Sequence, residues 1–199
     1  MTTTFFLVRH AAHDRVGTVL CGRIPGVHLG HPGRTQAQAL ADRLARENVA
    51  RICTSPLERA VETAEPIAAR LGRPVARLAD ITEIDFGAWS GKSFDSLADD
   101  PLWSAWNSSR STIRPPEGET MLEAQARIVH AMEELRGFHE GRAVVLVSHS
   151  DVIKAALLYY LGMPLDSYGR FEVSPASITT IVIGDWGSKV LHMNEVIAP

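Results

Sequence analysis

Cysteine is scarce in this chain. Cys21 and Cys53 are the only two among 199 residues, and they do not form a C-x-x-C pair. That argues against a disulfide framework and suits a reducing compartment. Long apolar runs are missing too. No stretch approaches the ~20 residues that cross a bilayer, so no membrane association is expected. Met1 to Thr4 carries no basic residue ahead of the first apolar run. No secretory leader is therefore expected, and the expected location is cytoplasmic. Positive charge is not in excess: Lys and Arg number 20 against 23 Asp and Glu, for a net charge of −3. This gives no electrostatic footprint for nucleic acid. An anion site in such a chain has to concentrate its cations locally. There is no G-x-G-x-x-G, no Walker loop and no G-x-S-x-G elbow, which argues against dinucleotide, ATP and serine-hydrolase chemistry.

What is present is an alternation of strand and helix patterns. Hydrophobic residues make up 45% of the chain, enough for a sizeable core in one domain spanning 1–199. Residues 5–9 read as a strand. Arg34 to Arg46 reads as a helix with Ala37, Leu40, Ala41 and Leu44 on one face. Ala50 to Cys53 is a short strand. Ser55-Pro56-Leu57-Glu58 then predicts a capped helix that Gly72 ends, with a kink at Pro66. Pro74 to Leu78, Ala143 to Val147, Ile178 to Ile183 and Val190 to Met193 read as further strands. Glu119 to Phe138 and Asp151 to Leu161 read as helices. The unbroken apolar run at 143–147 suggests a strand covered on both faces. The expected architecture is three-layer α/β/α with a mostly parallel central sheet. Phe86 to Glu117, with Trp89, Trp103 and Trp106, is the least regular stretch and reads as a helical excursion over the site.

Three polar clusters follow predicted strands. Arg9-His10 ends the first. Ser55 to Arg59 follows the second, and Ser148-His149-Ser150 follows the run at 143–147; both of these open helices. Carboxyl ends of parallel strands share one sheet edge, where open α/β sheets bind ligands. Arg9, His10, Arg59 and His149 therefore converge in this reading. Paired guanidinium donors and helix N-termini make such an edge an anion site. Taken singly, each residue has a blander reading: a core histidine at 149, a surface arginine at 59, a solvated Glu83. His10-x-x-His13 and His28-x-x-His31 raise a metal site, but no cysteine or carboxylate joins either pair at a familiar ligand spacing.

Leu7-Val8-Arg9-His10 resembles the opening motif of the histidine phosphatase, or phosphoglycerate mutase-like, superfamily. Gly22-Arg23, Leu29, Gly33 and Gln36-Ala37 resemble its loop into the first helix. Ser55-Pro56-Leu57-Glu58-Arg59-Ala60 with Thr63-Ala64 resembles its second motif. Glu83 to Gly91, Gly118-Glu119-Thr120 and Val147-Ser148-His149 follow in order. The resemblance implies that His10 is the nucleophile that becomes phosphohistidine. It implies a phosphate pocket of Arg9, His10, Arg59 and His149, with Glu83 as general acid and base. Arg23 and Ser150 are further substrate-pocket candidates. Neither a metal nor another cofactor is expected, because the arginines and a protonated His149 supply the charge.

This chain departs from the family pattern at several positions. Ala11 replaces a usual glycine, Ala12 and His13 replace an acidic residue and a threonine, and Val16 stands where an asparagine is common. His28 and Gly30 replace a proline and a threonine. The leading expectation is a metal-independent phosphatase whose partner is a small phosphorylated metabolite. The compact chain weighs against its first rival, a phosphoglycerate mutase or other phosphotransferase. The second rival is a phospho-ligand binding or regulatory module. Leu157, Leu158, Tyr159 and Tyr160 could be core or the interface of a homodimer.

Overall fold

The computed structural model describes residues 2–197. Its elements run β1 (Thr2–Arg9), α1 (His31–Leu44), β2 (Val49–Thr54), α2 (Glu58–Leu71), β3 (Val75–Arg77), α3 (Phe94–Leu97), α4 (Pro101–Ser108), α5 (Met121–Phe138), β4 (Ala143–Ser148), α6 (Ser150–Tyr160), β5 (Ser177–Gly184) and β6 (Gly187–Val196). The sheet order is β3-β2-β4-β1-β5-β6. The first four strands of that order are mutually parallel; β5 runs antiparallel to β1, and β6 antiparallel to β5. The expected α/β class and mostly parallel sheet are both present.

Period-two alternation builds the layers. Phe5 and Leu7 of β1 join Val144 and Leu146 of β4 against Ile128 and Met132 of α5 and Ile153 and Leu157 of α6. Phe6 and Val8 point the other way, with Val145 and Val147, onto Leu40 and Leu44 of α1 and Ala64 and Ile67 of α2. Every residue of β4 is buried, as its uninterrupted apolar run predicts for a central strand. Truncating a fully buried leucine such as Leu40 removes contacts on all sides, at a typical cost of ~2–5 kcal/mol.

Several local expectations need correction. Ser55 is not the N-cap of α2: that position is Leu57, with no side-chain cap bond, and the Ser55 hydroxyl only accepts from the Leu57 amide at 3.4 Å. Pro66 lies inside α2 without ending it, and Gly72 closes the helix in the left-handed conformation. The capping box of α5 is Thr120 with Glu123, so that helix starts two residues later than its pattern suggested. β6 is longer than Val190 to Met193 because it continues the hairpin from the turn at Asp185-Trp186. Residues 86–117 do form a helical excursion, consisting of a short 3₁₀ turn, α3 and α4. Trp89 and Trp106 are buried there, in edge contact with each other and with Trp103 and Phe86, rather than offered as a stacking platform. Among the described residues no helix is long and apolar enough to cross a membrane. Leu157 and Leu158 are core, whereas Tyr159 is exposed.

Candidate active site

The sheet register brings the two histidines together. Arg9 pairs with Ser148 across parallel β1 and β4, so the next residues, His10 and His149, leave the same edge side by side. Their rings are 5.1 Å apart. The His10 amide donates to the Ser148 carbonyl at 2.9 Å, which extends the ladder one residue past β1. Arg59, in the first turn of α2, points to the same place: its Nε lies 3.3 Å from His10 Nε2, and its Nη2 donates to the Gly22 carbonyl at 2.8 Å. Arg9, His10, Arg59, Glu83 and Ser150 line one cavity of about 140 Å³. His149 sits immediately behind it, fully buried.

Hydrogen bonding fixes the His10 tautomer. Its Nδ1 lies 2.9 Å from the Ala11 carbonyl oxygen, which only accepts, so Nδ1 carries the proton and Nε2 carries the lone pair. Burial, followed by the charges of Arg59 and Arg9, holds the imidazole well below its ordinary pKa. The ring is therefore a neutral base whose unprotonated Nε2 accepts from Arg59 Nε. Ala11 fits in place of the usual glycine. It is fully buried, and its amide donates to Thr63 Oγ1 at 3.0 Å while Thr63 donates to the Arg59 carbonyl. One chain of contacts thus ties the His10 loop to the helix that bears Arg59.

Three buried N–H or ring nitrogen atoms at this edge have no hydrogen-bond partner: Arg9 Nε, Arg59 Nη1 and His149 Nδ1. Burying such groups unpaired is costly, and their convergence suits an anion with several acceptor oxygens. Burial lowers the pKa of both arginines, but a guanidinium starts so high that both stay charged. His149 corrects an expectation. Burial, then the charge of Arg59, holds it well below its ordinary pKa, so it is neutral in the free site rather than protonated. Its Nε2 meets Ser55 Oγ at 2.7 Å. Its Nδ1 is 3.9 Å from Glu83 Oε2.

Glu83 shows the opposite shift. Burial first, then the Asp151 charge, pushes its carboxyl up to about 7, although Arg59 and the Ile84 amide pull the other way. Its backbone is clamped. Arg23 Nε and Arg127 Nη2 both donate to the Glu83 carbonyl, at 2.7 and 3.3 Å, and both guanidinium groups are held by Glu119. Arg23 is therefore not a cavity wall, as expected from its motif, but a buttress behind Glu83. Glu119 and Arg127 were not anticipated as part of the site. The Glu119 signal lay in Gly118-Glu119-Thr120, which reads locally as a helix start.

Comparison with known proteins gives the family. The profile of the histidine phosphatase superfamily (branch 1) matches residues 5–196. The chain belongs to the histidine phosphatase superfamily. Phosphoserine phosphatase 1 of Hydrogenobacter thermophilus is 30% identical over 193 residues, covering 94% of this chain and 90% of its own. Mycobacterial glucosyl-3-phosphoglycerate phosphatase superposes with a TM-score of 0.89 at 27% identity, over 98% of this chain and all of its own. Bacillus stearothermophilus YhfR gives a TM-score of 0.91 at 28% identity, over 98% of each chain.

Within this histidine phosphatase superfamily fold, the sequence departures fall in two places. His13 and Val16 line the cavity, and the His13 ring stacks on His10 at 5.4 Å. Burial and the two arginines lower the His13 pKa to about 4, so it adds no charge near neutrality. His28 lies outside the cavity and pairs with Glu62. Neither His-x-x-His pair becomes a metal cluster: among the described residues no three His, Cys, Asp or Glu side chains gather as ligands. Gly33 explains a further motif position. A Cβ there would lie 2.0 Å from the Ala12 carbonyl oxygen, on the loop after His10. Gly33→Ala should therefore displace that loop and destabilise the fold by ~1–3 kcal/mol, the usual range for overpacking, read as a lower urea midpoint.

Proposed function

We propose that this protein is a metal-independent phosphatase that hydrolyses small phosphomonoesters through a phosphohistidine at His10. The observation that carries the reading is the neutral His10, its Nε2 lone pair held beside a charged guanidinium whose Nη1 is unpartnered. Phosphoryl transfer depends chiefly on positioning and on neutralising the equatorial oxygens. Arg9 and Arg59 supply that charge, and His149 becomes a third cationic donor once a phosphate dianion faces it and raises its pKa.

The chemistry runs in two steps. His10 Nε2 attacks phosphorus, the ester P–O bond breaks, and protonated Glu83 gives its proton to the leaving alkoxide. Water then attacks the phosphohistidine and passes a proton to the Glu83 carboxylate. Inorganic phosphate leaves, and His10 and Glu83 return to their starting forms. The small cavity and the phosphatase names of the relatives both support hydrolysis of small esters.

A screen of small phosphomonoesters scored by released phosphate is the test. Turnover unaffected by chelator is expected. Interconversion of phosphoglycerate isomers without net phosphate release would replace this reading with a mutase. Phosphate affinity with no turnover on any ester would replace it with a binding module.

A further inference from the structure

The two hydrolytic steps leave one cavity-lining carboxylate unused. Asp151, in the first turn of α6, lines the cavity beside Ser150, and its charge acts on both Arg9 and Glu83. Its Oδ1 lies 3.0 Å from Arg110 Nη1. Arg110 is only 5% exposed, and it is clamped. Its guanidinium lies 3.7 Å from the centre of the Trp106 ring and 3.4 Å from that of Tyr168. Arg110 Nη2 and the Tyr168 hydroxyl both donate to Asn107 Oδ1, each at 3.1 Å. The cation on α6, Lys154, lies 5.6 Å from the centre of the same Tyr168 ring and pairs with Glu172 at 3.7 Å. A stacked, buried guanidinium holds its anion in one position.

A fixed carboxylate in this cavity repels a phosphate dianion, so it does nothing for the phosphoryl group itself. Its charge reaches Glu83, the acid that serves the leaving oxygen, which puts the carboxylate near the alcohol part of a bound ester. The other walls there, Val19, Leu20, Phe86 and Phe94, offer apolar side chains. We propose that Asp151 is a specificity-determining residue: it accepts a hydrogen bond from an ammonium or hydroxyl group close to the ester oxygen and repels a carboxylate in that place. The proposal rests on the phosphatase reading and adds a substrate class to it, the phosphomonoesters of small amino and hydroxy alcohols. The ammonium ranks first because its bond to a carboxylate is charge-assisted.

The test compares kcat/KM for esters of matched size: aminoethyl, hydroxyethyl, propyl and carboxymethyl phosphate. Aminoethyl phosphate should exceed propyl phosphate by about 10–100-fold, with hydroxyethyl between them and carboxymethyl lowest. In Asp151→Asn the aminoethyl-to-propyl ratio should fall to within about threefold, since an amide lacks the charge that distinguishes them. The change in this ratio between wild type and variant is the readout, because Asp151 also acts on Glu83 and alkyl esters all need that acid, so its effect lowers or raises them in the same direction. A wild-type ratio near one, or a ratio unchanged in Asp151→Asn, overturns the proposal. Failure of the wild type to release phosphate from p-nitrophenyl phosphate and from every ester overturns the phosphatase reading and takes the proposal with it.

Discussion

Replacing His10 with alanine is expected to lower phosphate release from every phosphomonoester by at least ~10⁴-fold, because the attacking atom itself is removed. No neighbour takes over. His149 is fully buried behind His10, and its Nε2 is engaged by Ser55. His13 stacks on the His10 ring and is held by the Arg15 amide through Nδ1. The arginines stay in place in this variant, since Arg59 is still anchored on the Gly22 carbonyl and Arg9 on the Val173 carbonyl. Phosphate binding should therefore survive while turnover is lost. Initial rates and phosphate titration, measured on the same preparation, separate the two. Turnover within tenfold of wild type would remove His10 from the chemistry.

Glu83→Gln should have an effect that depends on the leaving group. Alkyl phosphates expel a strongly basic alkoxide and need the proton, so their turnover should fall by ~10²–10⁴-fold. p-Nitrophenolate leaves without help, so the first step on its ester should be much less affected. The pH dependence has a definite sign. Glu83 titrates at about 7 in the free site, and only its protonated form is the acid. For alkyl phosphates kcat/KM should therefore be level below that pH and fall as pH rises through it. His10 contributes no rise within this window, because its own pKa lies well below the ordinary histidine value. With substrate bound, the phosphate charge pushes Glu83 further up, so the falling limb of kcat should lie at higher pH than that of kcat/KM. In Glu83→Gln the enzyme's limb should vanish, while the substrate's own ionisation persists in both proteins. Equal losses for alkyl and aryl esters would count against the acid role.

Much of this was legible in the sequence because the determinants are local. Phe5, Phe6, Leu7 and Val8 are all buried, two on each face of the sheet, as a run of four consecutive apolar residues in a strand requires. The carboxyl-edge convergence of Arg9, His10, Arg59 and His149 follows from parallel strands that each end in a polar cluster. What stayed hidden depends on partners far apart in the chain. Ser55 resembles a helix cap, but its hydroxyl meets His149 across two strands. Arg23 has the motif of a pocket residue, yet Glu119 and the Glu83 carbonyl claim it. The Arg110–Asp151 pair spans 41 positions and depends on the rings of Trp106 and of the distant Tyr168. The neutrality of His149 could not be read either, because it follows from complete burial next to two guanidinium groups, which no spacing encodes.

The most direct measurement is a rapid mixing of the protein with excess p-nitrophenyl phosphate, quenched in alkali, where phosphoramidates survive, followed by peptide mass spectrometry. A phosphoryl group on His10, formed within the first turnover and lost once the substrate is consumed, is the predicted result. Phosphate release with no phosphorylated histidine at any time, or with the label on a different residue, would contradict the account.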